Sequence, residues 1–113
     1  MNIYHLYTKM HNPHYLNRYI KFINNCIERN GSLCMKTKYN PGGVHMDAHH
    51  ILPKADGMFP EYEDLSKHTW NKCYLTNRQH FIAHWMLSRA YKTKQANYAF
   101  WRMCHLNENR INS

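Results

Sequence analysis

Ten histidines in 113 residues is a high count, and two of them stand in a pattern suited to metal chemistry. His80 and His84 are four residues apart in a segment that reads as a helix, which puts both imidazoles on one face within reach of a single ion. That spacing alone leaves a plainer reading open, with one ring packed in the core and the other solvated. The best-known pair of this kind is the HExxH helix of metalloproteases. Here the run is His80-Phe81-Ile82-Ala83-His84, and Phe81 stands where the general-base glutamate would be, so a protease of that kind would lack its base. The adjacent pair His49-His50 adds what the helix lacks. One of the two can complete a three-histidine metal site with positions open for water and substrate. The other is then free to act as a base, because imidazole titrates near neutrality. A strand's period of two points neighbouring side chains to opposite faces, so both can serve one site only where the strand ends or twists at His50.

These residues need elements to hold them. Thr76-Asn77-Arg78-Gln79 is a capping box, Thr76 capping and Gln79 returning the bond, and it opens a helix predicted to run to about Tyr91. Val44 to Ile51 and Lys72 to Leu75 are short strand candidates. The connection between them, of about twenty residues from Pro53 and Gly57 through Pro60, Glu61, Glu63 and Asp64, is long for a compact domain and of the kind that often carries function. Upstream, Asn12-Pro13 reads as a cap and first helical position. Tyr15, Leu16, Tyr19, Ile20, Phe22, Ile23, Cys26 and Ile27 then recur at helical spacing until Asn30-Gly31 ends the run. Residues 31–43, with Asn40-Pro41-Gly42-Gly43, read as a loop. A last helix over roughly Gln95 to Leu106 puts Ala96, Ala99, Phe100, Met103 and Leu106 on one side. The order is helix, hairpin with a long connection, helix, helix: an α+β chain.

The run Asp47-Ala48-His49-His50-Ile51-Leu52-Pro53-Lys54, then Asn71, then Leu75-Thr76-Asn77-Arg78-Gln79-His80-Phe81-Ile82-Ala83-His84 resembles the HNH endonucleases. Within that group it looks like the small homing endonucleases encoded by phages. The match lies in the spacing: an adjacent His pair, a variable loop, an Asn, a His nine residues later and another four beyond, about 38 residues in all. The flanks Arg18-Tyr19-Ile20-Lys21-Phe22-Ile23 and Phe100-Trp101-Arg102-Met103-Cys104 are similar to those phage proteins as well. The resemblance implies a ββα-metal hairpin and helix, with helices flanking it on the N- and C-terminal sides. It implies that His49, His80 and His84 ligate a metal, that His50 is the general base, and that Asn71 holds the loop after the His pair through backbone hydrogen bonds. Gln79 stands where many relatives carry Glu, yet it still serves the capping box.

The implied reaction is hydrolysis of a phosphodiester, which needs an in-line nucleophile, charge neutralisation on the phosphoryl oxygens and help for the leaving oxygen. As in the family, the ends would be 5′-phosphate and 3′-hydroxyl. Three neutral imidazoles leave a divalent ion its full charge, and they suit Zn, Ni, Co or Mn by ligand type, although the family often works with Mg. Asp47 can orient a ligand His from behind it, or be an exposed strand carboxylate. Lys54 and Arg78 flank the motif and can bind phosphates, or be ordinary solvated surface.

Composition supplies the setting. With 43% apolar and 14% aromatic residues, 113 residues suffice for one domain with one modest core. We expect a single domain over 1–113, with the motif core at 44–91 and basic helical flanks at 1–43 and 92–113. No run approaches the ~18 apolar residues of a membrane span, and the N-terminal segment lacks a signal-peptide pattern, so we expect no membrane partner and a cytoplasmic location. The cysteines Cys26, Cys34, Cys73 and Cys104 form no CxxC pair and read as packing residues. The net charge of +8 is unevenly spread. Residues 1–46 carry six basic side chains and one acidic, residues 47–91 five of each, and residues 92–113 four and one. A neutral centre between two basic flanks suits a DNA partner, with Lys21, Lys36 and Lys38 among the gripping residues. Two other classes stay in view: a DNA-binding module that keeps its metal only for stability, and an antibacterial nuclease toxin, for whose usual translocation domains there is no room.

Overall fold

A computed structural model of the chain describes residues 3–9, 11–31, 45–54 and 58–111, with the backbone alone for 106–111. The first helix, α1 (Pro13–Asn30), begins where its cap requires: the Asn12 side chain accepts from the N–H groups of His14 and Tyr15, and Pro13 fills the first helical position. It ends at Gly31, whose φ of 61° lies in the left-handed region and whose N–H returns to the Ile27 carbonyl. Leu16, Tyr19, Ile23 and Cys26, at helical spacing, form its buried face.

Two strands pair antiparallel, β1 (Asp47–His50) and β2 (Lys72–Leu75), with Asp47 opposite Leu75, Ala48 opposite Tyr74, His49 opposite Cys73 and His50 opposite Lys72. The second strand has the bounds expected of it. The first is shorter than the expected Val44–Ile51, because the ladder closes where Ile51 donates to the Asn71 carbonyl and the chain turns away. Val44 lies outside the described residues. The long connection is more ordered than a plain loop: short 3₁₀ turns at Pro60–Tyr62 and Thr69–Asn71 interrupt it, and Asp64 closes a turn on the N–H and hydroxyl of Ser66.

After β2, Thr76 opens α2 (Asn77–Ala90) with both bonds of the capping box in place, and Gln79 Oε1 also accepts from Asn30 of α1. The final helix, α3 (Lys94–Ile111), starts one residue before and continues five residues beyond the expected Gln95–Leu106. A further element had no clear signature in the sequence, a 3₁₀ segment at Ile3–Lys9. Among the described residues the architecture is therefore α+β: a two-stranded hairpin and three helices.

The core lies where α1 packs on α2 and α2 on α3, under the hairpin. Leu16, Tyr19 and Ile23 of α1 meet Ala83, Met86, Leu87 and Ala90 of α2, together with Ile51, Leu52, Phe59 and Leu75 from the hairpin and its connection. The end of α2 is tied to the start of α1, since the N–H groups of His11 and Asn12 both donate to the Ala90 carbonyl at 2.8 and 3.0 Å. Buried Tyr91 donates its hydroxyl to the Leu6 carbonyl, fastening the N-terminal segment to the helix pair. Cys26 and Cys73 are buried thiols, in keeping with a packing role, while Cys104 is half-buried and Cys34 lies outside the described residues.

Candidate metal centre

Strand period and helix period converge on one place. In β1, Asp47 and His49 share the face turned toward α2, while Ala48 and His50 point the other way. In α2, His80 and His84 are one turn apart and face that strand. The three rings of His49, His80 and His84 sit in mutual edge-to-face contact, with centroids 4.8 to 5.3 Å apart. Each offers a nitrogen within 4.8 Å of the other two. His80 Nε2 and His84 Nε2 are 3.2 Å apart, close to the ~3.4 Å between two nitrogens that ligate one tetrahedral ion at about 2.1 Å each. The donor set therefore fits a divalent metal.

Electrostatics favours the neutral ligand form. Burial pushes the His49 imidazole well below its ordinary range, and the positive potential of His84, His80 and His50 adds to this. Burial likewise lowers His84 to about 4, with His80 and His50 contributing. Near pH 7 both rings are thus unprotonated bases without any ion present, so a metal need not displace protons from them.

The surrounding bonds orient these rings. Asp47 Oδ2 is 3.1 Å from His80 Nδ1, and a carboxylate can only accept there, so Nδ1 carries the hydrogen and Nε2 keeps its lone pair toward His84. The other carboxylate oxygen bonds His45 Nε2 at 3.2 Å. On the far side, the Tyr19 hydroxyl lies 2.8 Å from His49 Nε2. Burial raises the Tyr19 phenol well above its ordinary value, with Cys73, Tyr91 and Cys26 adding to that, so the hydroxyl keeps its proton.

His50, at the strand's end, faces a cleft of about 800 Å³ bordered by Lys54, Glu61, Glu63, Asp64 and Lys67. Its Nε2 is 3.0 Å from the Glu63 carbonyl. A carbonyl only accepts, so Nε2 donates and the lone pair of a neutral ring stays on Nδ1. Asn71, fully buried, joins both ends of the connection: Leu52 N–H donates to its Oδ1 at 2.6 Å, and its Nδ2 donates to the carbonyls of Leu52 and Tyr62 at 3.2 and 3.1 Å.

His49, His80, His84 and Asp47 thus come together, with His50 at the end of β1 on the opposite face and Asn71 at the end of the 3₁₀ turn that precedes β2. Lys54 is exposed at the His50 cleft. Arg78 lies elsewhere, in a groove between α1 and α2 beside Arg29 and Phe22. Lys21 is exposed on α1, and Lys36 and Lys38 lie outside the described residues. The sequence carried no sign of Tyr19 as a partner of His49, because a tyrosine at core spacing reads as apolar packing. Nor did it point to the Glu63 carbonyl, since every residue has one. Among the described residues no helix is long and apolar enough to cross a membrane.

A hairpin and helix thus gather three imidazoles that could hold a metal ion, with a fourth tied at the strand's end. Two known proteins are similar to the chain. The chain is 36% identical over 66 residues to "Probable mobile endonuclease E" of Enterobacteria phage T4, covering 58% of this chain and 42% of that protein. It is 32% identical over 96 residues to "Probable mobile endonuclease D" of the same phage, covering 82% of this chain and 33% of the relative. The chain thus spans less than half the length of these curated relatives. They bear out the resemblance to phage mobile endonucleases read from the motif. No protein-family model matches the chain, and no solved structure matches it.

Proposed function

We propose that the chain is a metal-dependent DNA endonuclease of the HNH type, built on a ββα-metal hairpin and helix and carried by a phage as a homing enzyme. The observation that carries this reading is the convergence of His49, His80 and His84, with His50 next in the chain and its Nε2 tied to the Glu63 carbonyl. Similarity to proteins named mobile endonucleases supports it.

His49, His80 and His84 would hold one divalent ion; Mg, Mn, Zn and Ni are the candidates. When bound, that ion supplies charge neutralisation at the scissile phosphate and stabilisation of the leaving 3′ oxygen. The chain's own groups do the rest. His50 receives a proton from the attacking water at Nδ1, the nitrogen its Glu63 bond leaves unprotonated. Attack at phosphorus breaks the bond to the 3′ oxygen, which takes a proton from solvent water, leaving 5′-phosphate and 3′-hydroxyl ends. Asn71 keeps the turn after the His pair in place, so that His50 does not swing out of line. Asp47 holds His80 in its ligating tautomer. Lys54, beside His50, is placed to bind a phosphate of the DNA, and Arg78 with Arg29 offers a second contact along α1 and α2. Such an enzyme would act in the cytoplasm of the infected host cell.

The test is cleavage of supercoiled plasmid by wild type and His50→Ala across the four metals. Wild type should cut only when metal is added, and the variant should bind metal while losing roughly 100-fold or more in rate. Equal cutting by both proteins removes His50 as the base. Metal and DNA binding without scission would instead make the chain a non-catalytic module.

A further inference from the structure

The Tyr19 hydroxyl stands between two buried groups, 2.7 Å from the Ile51 carbonyl oxygen and 2.8 Å from His49 Nε2. A phenol has one hydrogen and a carbonyl oxygen has none, so the short approach to Ile51 requires that hydrogen to lie there. The approach to His49 is then a bond only if Nε2 carries a hydrogen of its own and donates it to the Tyr19 oxygen. A neutral imidazole has a single N–H, which leaves the lone pair of His49 on Nδ1. Tyr19 and Ile51 are fully buried and His49 is 1% exposed, so water does not compete for either hydrogen.

Resting on the metal reading above, we infer that Tyr19 is a positioning residue of the metal centre, holding His49 in the tautomer that offers Nδ1 to the ion. Asp47 does the converse for His80, taking the Nδ1 hydrogen and leaving Nε2. The two ligands are thus set in opposite tautomers by partners on different elements. Tyr19 lies on α1, 30 residues before His49 and outside the His49–His84 stretch that holds the metal-ligand spacing. Helix α1, which packs chiefly on α2, therefore takes part in the site, and a purely structural role for Tyr19 would stop at clasping the Ile51 backbone.

The two roles separate by experiment. Long-range ¹H–¹⁵N spectra of the full, metal-free chain at neutral pH read the His49 tautomer directly, and wild type should show Nε2 protonated and Nδ1 bare. Tyr19→Phe keeps the ring but loses the hydroxyl, so its His49 should shift toward the other tautomer. Its Co²⁺ and Zn²⁺ affinities should fall roughly ten- to hundred-fold, with an altered Co²⁺ visible spectrum. Should the variant fail to fold, the wild-type tautomer still decides. A wild-type His49 protonated on Nδ1, or a folded Tyr19→Phe that binds Co²⁺ as tightly as wild type, overturns this inference and leaves the metal reading standing. Failure of wild type to take up either ion overturns the metal reading, and this inference with it.

Discussion

Asn71 and Leu52 exchange a reciprocal pair of hydrogen bonds, Leu52 N–H to Asn71 Oδ1 at 2.6 Å and Asn71 Nδ2 to the Leu52 carbonyl at 3.2 Å. One side chain thereby stands in for a strand partner just where β1 stops, and the same Nδ2 reaches the Tyr62 carbonyl across the connection. Because Asn71 and Leu52 are both fully buried, the Leu52 N–H and carbonyl cannot turn to water in the absence of the Asn71 side chain. Asn71→Ala should therefore lower unfolding free energy by about 2–4 kcal/mol, measured by urea denaturation. Asn71→Asp keeps an acceptor for Leu52 N–H but sets its other carboxylate oxygen against two carbonyls, and should cost at least as much. A loss below about 0.5 kcal/mol for both would mean the turn holds itself.

Removing the Asp47 carboxylate should weaken metal binding without unfolding the chain. Half-buried Asp47 accepts from His80 Nδ1, so Asp47→Ala frees that ring to rotate or change tautomer. Calorimetric titration with Zn²⁺ should show affinity reduced roughly ten- to hundred-fold. Unchanged affinity would reduce Asp47 to a surface partner of His45.

Acid should destabilise the metal-free protein in a defined window. The folded-state value of His84 is about 4 against an ordinary 6.5, and burial is the main cause. Between those values the unfolded chain binds a proton at this position that the folded chain refuses, so stability falls as pH drops from about 6.5 toward 4. His49, lowered in the same direction, adds to the slope. The contribution of His84 is at most about 3 kcal/mol by linkage. Urea titrations at several pH values should show the fall, and His84→Gln should flatten it. A wild-type profile level from pH ~7 to ~4 would contradict neutral burial of these rings.

Neutralising Lys21, Lys36 and Lys38 together should weaken DNA binding and flatten its dependence on salt. For each phosphate no longer neutralised, the slope of log affinity against log salt should shrink by about 0.9 on duplex DNA. Fluorescence anisotropy at several salt concentrations measures it. An unchanged slope would move DNA gripping to Lys54, Arg78 or the C-terminal flank.

The chain's local signals were legible because they act over a few residues. Asn12-Pro13 and Asn30-Gly31 bound α1, Thr76 and Gln79 start α2, and the four-residue step from His80 to His84 puts two imidazoles on one face through backbone geometry alone. Periodicity likewise marked the buried side of α1 and the span of β2. What it could not decide was where β1 ends, since that depends on Asn71 capturing Leu52 from nineteen residues away. The 3₁₀ segment at Ile3–Lys9 likewise lies against partners distant in sequence, including Tyr91 and Tyr62. His49 and His50 carry the same side chain, and sequence distinguishes them only by resemblance. Tertiary structure separates them physically: one ring is buried against Tyr19 and the helix histidines, the other is tied to the Glu63 carbonyl at the mouth of a cleft. Residue types and short spacings therefore determined which groups could do chemistry. Which nitrogen His49, His50 and His80 present was decided only by partners 13 to 33 residues away, because a tautomer is set by hydrogen bonds and those bonds exist only once the chain has folded.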